Sequence, residues 1–219
     1  MRNSAKDELE MASRRELMLE TGFRIFAEKG IEAVSMQEVA NACGLGVATL
    51  YRYFNTKLLF VIAVGAKKWE ELFEEVEAER VRRCCELMTA AEELDFSLSI
   101  FIMFYREHRD VLRFNQNFNN FVIREKATAD QLHAYMKAIE PFSINFHRLY
   151  EKGKRDGTIR TEQSEQTVYN STIHIMLAVC VRYAQGVILR SDDPDDLTKE
   201  LFILKRMMMN TYVLPQKSK

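Results

Sequence analysis

Apolar residues recur along this chain at intervals of three and four and hardly ever at alternate positions, a period that predicts helices. Met18, Gly22, Ile25 and Phe26 share one face of a first helix over about Ser13–Lys29, with Leu19 and Phe23 widening the stripe. Glycine in a helix interior costs roughly 1 kcal/mol against alanine. Gly22 therefore predicts a second helix crossing close by, and Gly30 ends the first. Ser35-Met36-Gln37-Glu38 has the form of a capping box and opens a second helix with Val39 and Ala40 inward. Cys43-Gly44-Leu45 is its turn, where Gly44 takes a positive φ at little cost. A third helix covers about Val47–Tyr53, anchored inward by Leu50 and Phe54, with Gly46 as a weak N-cap. Thr56 caps a fourth, running to about Arg83 with Leu59, Ile62, Ala66, Trp69 and Phe73 on one side and a strongly charged later half.

Five more helices follow. The capping box Thr89-x-x-Glu92 opens one that reaches about His108, and another spans Asp110–Lys126. Thr128-x-x-Gln131 opens a helix to about Gly153, which Pro141 is expected to kink or break. The next spans about Ser164–Leu189. The last, with Asp193 as N-cap and Pro194 at its first position, runs to about Val213. The expected fold is all-α, about nine helices, with residues 1–56 as a helix-turn-helix domain and 57–219 as a helical body.

Composition agrees with this. Of 219 residues 47% are hydrophobic, which argues against disorder, and only 3 Pro and 8 Gly interrupt the pattern. Lys and Arg (31) balance Asp and Glu (32), so any polyanion would be met by local charge, not by net charge. The N-terminus lacks the apolar core of a signal peptide, and no 18-residue apolar run exists. Cys43, Cys84, Cys85 and Cys180 lack metal spacing and fit reduced thiols, so a cytoplasmic protein is expected. His108, His133 and His147 share no metal spacing. With no Gly-rich phosphate loop and no nucleophile–base pair, neither enzyme activity, cofactor nor metal is expected.

The chemistry of interest lies in residues 35–57. A major groove admits one helix flanked by phosphates. The third helix presents Val47, Ala48, Thr49 and Arg52 outward. Arg52 suits guanine O6 and N7, while Ala48 and Thr49 suit a thymine methyl. Tyr51, Tyr53, Lys57 and the Ser35 hydroxyl suit phosphate oxygens. The spacing alone also fits two ordinary packed surface helices. Residues 15–59, however, resemble the N-terminal domain of the TetR family of bacterial transcriptional regulators. The resemblance is carried by Phe26-Ala27-Glu28-Lys29-Gly30, Ser35, Val39-Ala40, Cys43-Gly44-Leu45 and above all Thr49-Leu50-Tyr51-Arg52-Tyr53-Phe54 with Lys57. It departs from the family at Gly46 and Val47, where Ser or Thr followed by Lys is frequent, so fewer ionic contacts are expected.

The resemblance implies a homodimer on a double-stranded DNA operator and a body that takes a small hydrophobic or aromatic ligand, most simply a repressor released by that ligand. The alternative is a DNA-bound factor governed by a protein partner, with no small ligand. The last helix carries a 4–3 seam of Leu197, Leu201, Leu204, Met208 and Thr211. With Val179 and Tyr183 of the preceding helix, these leucines and the methionine form the expected dimer interface. The aromatics Phe101, Phe104, Tyr105, Phe118, Phe121, Phe146, Tyr150 and Tyr169, with His174 in the most apolar helix, are the expected ligand residues.

Overall fold

A computed structural model describes residues 4–187 and 195–215. Among them are nine α-helices and no strand: α1 Ser4–Lys29, α2 Met36–Ala42, α3 Val47–Phe54, α4 Lys57–Arg82, α5 Ala90–Glu107, α6 Arg109–Arg124, α7 Ala129–Asp156, α8 Glu165–Gln185 and α9 Asp196–Tyr212. A 3-10 turn, Cys85–Leu87, precedes α5. No single helix among the described residues is long and apolar enough to cross a membrane.

The expected caps explain most of the boundaries. Thr89 and Glu92 close a full capping box at α5, and Thr56 Oγ1 accepts the Leu59 N–H at the start of α4. Ser164 Oγ accepts the Thr167 N–H at α8. Gly30 and Gly44 take the positive φ values of +84° and +67° expected of them. Ser35 caps only by half. Its Oγ accepts the Glu38 N–H, but the Glu38 carboxylate turns to Lys29 Nζ, 2.6 Å away.

Two elements differ from expectation. α1 starts at Ser4, well before the apolar stripe, and its residues 8–17 are exposed. They are held by the helix propensity of Ala, Glu, Leu, Met and Arg, not by burial. α7 continues through Pro141 to Asp156, so of the expected kink or break the break does not occur. The expected start of α9 at Asp193 and Pro194, and the expected end of α8 at Leu189, lie outside the described residues. Within them, Asp195 stands at the N-cap of α9.

The chain forms two compact units, Met1–Glu71 with Arg113–Ile139 and Leu72–Leu112 with Glu140–Lys219. The first is built on a run of rings. Phe54 meets Phe60 at 4.8 Å, Phe60 meets Phe26 at 5.7 Å, Phe114 meets Phe118 at 6.0 Å, and Phe118 stacks on Tyr135 at 4.4 Å. Gly22 lets α4 approach: a Cβ there would stand 2.4 Å from the Phe60 ring. Buried Lys68 is held by Glu20 at 2.6 Å and Glu71 at 2.8 Å, over the Phe23 ring. Trp69 donates to the Tyr135 hydroxyl, which donates to buried Asn115.

In the second unit α5 packs on α8 and α9. Its core joins Leu94 and Leu98 to Leu149, Ile159, Val168, Met176, Met208 and Tyr212. Buried Glu93 accepts from Arg80 at 2.5 Å and from Lys152, so its charge is paired on both sides.

Candidate nucleic-acid interface

α2 and α3 stand on opposite sides of a tight turn. Leu45 N–H reaches back to the Ala40 carbonyl at 2.9 Å and Gly44 N–H to that of Asn41 at 3.0 Å, which closes α2 with a glycine in the left-handed region. Leu50 (0% exposed) and Phe54 (5%) fix the inner face of α3 in the core. The same periodicity turns Ala48, Tyr51 and Arg52 to the exposed side and leaves Val47, Thr49 and Tyr53 half-buried at its edges. Neither the Arg52 guanidinium nor the hydroxyls of Tyr51 and Tyr53 has a partner among the described residues. Ser35, at the start of α2, is exposed. Its hydroxyl oxygen accepts from Glu38, which leaves the O–H itself able to donate.

Lys57 and Arg15 are placed differently from the others. Lys57 is half-buried, with Nζ 3.5 Å from the Glu32 carbonyl and 5.5 Å from the Phe121 ring centroid. Burial pulls its pKa down against the opposing pull of Glu32 and Glu125. Its charge is committed inside the unit. Arg15 lies over the Phe54 ring at 5.5 Å. Sequence reading missed three exposed polar side chains. Gln37 and Asn41 pair on the outer face of α2 at 2.7 Å, a four-residue spacing that was legible as a helix-surface pair. Asn55, which closes α3 at φ +58°, is also exposed.

The expected ligand residues fall in both units. Phe118 stacks on Tyr135 and Phe121 lies under Lys57 and Arg124, all in the first unit. Phe101, Phe104, Tyr105, Phe146, Tyr150 and Tyr169 belong to the second unit. There Phe146 and Tyr150 are core, with Phe101 and Tyr169 against them. Tyr105 packs edge-on to Tyr183 and beneath Arg109. His174 is exposed. The second unit does hold an open cleft of about 610 Å3, with Phe96, Ile100, Met103 and Phe202 among its apolar lining and Arg82, Arg83 and Arg106 among its charged lining. None of the nine expected residues lines it.

The expected dimer seam faces inward instead. Leu201 (0% exposed) and Met208 (5%) are buried in the second unit's own core, with Leu204 packed against it. Leu197 and Val179 are half-buried, and the Tyr183 hydroxyl bonds the Glu200 carboxylate. A 4–3 apolar seam reports a helix face that must be covered, and here the covering is α5 and α8 of the same chain. The outward faces of α8 and α9 carry Ile175 (43% exposed), Phe202 (50%), Ile203 (49%) and Met207 (60%).

Two short helices, a glycine turn between them, an inward anchor and a polar outward face define a helix-turn-helix module. Residues 18–64 match the family model described as bacterial regulatory proteins, tetR family. Over these residues the chain is similar to that family. A Bacillus subtilis (strain 168) relative, the uncharacterized HTH-type transcriptional regulator YerO, is 26% identical over 109 residues, 47% of this chain and 35% of the relative. The match thus spans about a third of that relative's length. A Saccharomonospora viridis protein given as a transcriptional regulator, solved in complex with choline, superposes with a TM-score of 0.70 at 17% identity, over 93% of this chain and 100% of the other. The fatty acid degradation regulator FadR of Bacillus halodurans gives 0.67 at 14% identity, over 90% and 94%. At these identities the structural likenesses establish the fold alone.

Proposed function

We propose that this protein is a transcriptional regulator that binds double-stranded DNA as a homodimer through α3. The observation that carries the reading is the outward face of α3. It presents Tyr51 and Arg52, with Tyr53 at its edge, with no partner for their polar groups among the described residues, on a helix locked from beneath by Leu50 and Phe54. A guanidinium and phenolic hydroxyls on a groove-sized helix match base edges and phosphates. Two such helices related by a twofold would read half-sites one helical turn, about 34 Å, or a longer near-multiple apart.

The twofold surface is assigned to the outward faces of α8 and α9, through Ile175, Phe202, Ile203 and Met207, in place of the inward seam. Four large apolar side chains on two neighbouring helices fit a self-complementary helix-bundle contact.

The regulator is a repressor released by a small ligand with an apolar part. That reading is supported by the cleft in the second unit and, by analogy, by relatives of the same fold whose names refer to choline and fatty acids. α4 supplies residues to both units, so a shift of this helix, including Trp69, is the simplest route for the signal. The ligand must prefer the DNA-incompetent arrangement, or nothing switches. Selection of bound fragments from the source genome by the purified chain tests the DNA reading. Enriched fragments should share a twofold-related motif, and Arg52→Ala combined with Tyr53→Ala should abolish enrichment. Enrichment that survives the double substitution would refute the assignment.

A further inference from the structure

We propose that Glu75, Glu107 and His108 bind a divalent transition-metal ion, zinc being the best match, in the second unit. Glu75 comes from α4, Glu107 is the last residue of α5, and His108 is the residue that ends α5. One nitrogen and one carboxylate oxygen from each glutamate lie within 4.8 Å of one another. His108 Nε2 is buried and makes no hydrogen bond, although Glu75 Oε2 stands only 2.9 Å away. The oxygen is near the ring nitrogen but out of line with it. Two ligands each about 2.1 Å from one tetrahedral ion stand about 3.4 Å apart, each off the other's lone-pair axis, so the observed 2.9 Å would open by about half an ångström on binding. A shared ion accounts for the missing hydrogen bond of the buried ring nitrogen, which a simple ion pair leaves unexplained.

The surroundings support a cation at this place. Glu75 and Glu107 line the cleft of about 610 Å3, which gives the ion a path from solvent and room for a water or an anionic ligand in its open positions. Among the described residues neither glutamate is paired with Lys or Arg. The neighbouring Arg82 and Arg83 are instead held by Glu79, which leaves exposed Arg106 as the remaining cation of the cleft lining. The His108 ring is packed edge-on against Phe104 at 6.2 Å, which fixes its direction. Two other carboxylate clusters lack these properties. Glu16, Glu20 and Glu71 are neutralised by Lys67 and Lys68. At His147 the ring nitrogen is hydrogen-bonded to Glu165, and Glu151 is paired with Lys154. The sequence gives no metal spacing because the ligands meet only when α4 lies beside the end of α5.

One imidazole with two carboxylates suits Zn2+, with weaker binding of Mn2+ and much weaker binding of Mg2+. The test is calorimetric titration of the full chain, freed of metal by a chelator, with ZnCl2, MnCl2 and MgCl2. One Zn2+ should bind per chain, and Co2+ substituted at the site should give visible absorption. His108→Ala and Glu107→Gln should each weaken Zn2+ binding by at least about tenfold. Glu107 is exposed, so its variant keeps the fold and remains informative if His108→Ala does not. His147→Ala should leave binding unchanged. Absence of stoichiometric Zn2+ binding overturns the proposal. So does binding that withstands both His108→Ala and Glu107→Gln, or that is lost instead in His147→Ala. DNA binding through α3 is a separate readout, so the outcome here leaves that proposal standing or falling on its own.

Discussion

The outward faces of α3 and α9 are alike in one respect and opposite in another. Both helices are pinned from beneath by fully buried leucines, Leu50 and Leu201. Both present outward side chains that the described chain does not cover. On α3 these are a guanidinium and two phenols; on α9 they are Phe202, Ile203 and Met207. A face of unpaired donors remains soluble while it waits for an anion, whereas a face of half-exposed Phe, Ile and Met is stable only when covered. The difference teaches that a helix's partner is written on the side turned away from its own core. The strongest apolar periodicity describes the other side.

Adjacent positions on α9 provide the sharpest test. Leu201→Ala should lower unfolding free energy by about 2–5 kcal/mol in urea denaturation, because it empties a filled core position. Phe202→Ala should leave the unfolding of an isolated subunit nearly unchanged and weaken self-association. If the two substitutions behave alike, the inward and outward assignment of α9 is wrong. Next in size, Met207→Glu should raise the dimer dissociation constant by about a hundredfold, or roughly 2.7 kcal/mol, in sedimentation velocity, since twofold symmetry buries the new charge twice. Circular dichroism should not change.

On α3, Arg52→Ala should weaken operator binding by about 1–3 kcal/mol in fluorescence anisotropy and relax discrimination at one base pair of each half-site. Thermal stability should hold, because this side chain has no internal partner. The smallest effect is expected at Lys57. With its ammonium held near the Glu32 carbonyl and the Phe121 ring, the proposed ionic DNA contact is that of Arg52 on each of two subunits. The salt slope should then be about −1.8, not the roughly −3.6 expected if Lys57 of each subunit also contributed. Lys57→Gln should shift that slope by less than about 0.5. A slope that halves in the variant would return Lys57 to the interface.

What was legible in the sequence was local. Thr89 with Glu92, Ser164, Gly30 and Gly44 announce helix ends because a cap depends on residues within a turn of it. The helix-turn-helix was legible for the same reason: Gly44, Leu50 and Phe54 act over a few residues. The start of α1 was missed because residues 8–17 are exposed, and an apolar stripe can only mark where burial begins. The inward orientation of α9 was missed because a 3–4 seam is identical whether the covering helix comes from the same chain or from a second copy. The aromatics misled in a similar way. Phe118, Phe146 and Tyr150 are the size and shape that a ligand wall needs, and also the size and shape that a dense helical interior needs. Glu75 with His108 was invisible, since the pairing exists only through α4 and α5 lying side by side.

The Gly22–Phe60 contact sets a rule for how this chain can drift. The Phe60 ring is fully buried between Phe26 and Phe54, so it cannot swing aside for a methyl group 2.4 Å from its edge. Gly22→Ala alone would gain helix propensity yet lose about 1–3 kcal/mol to crowding. The same change made together with Phe60→Leu should recover most of that loss. Gly22 is therefore the constrained partner: a larger residue on α1 becomes acceptable only after its neighbour on α4 has shrunk, so the order in which the two changes arise sets the stability of the intermediate.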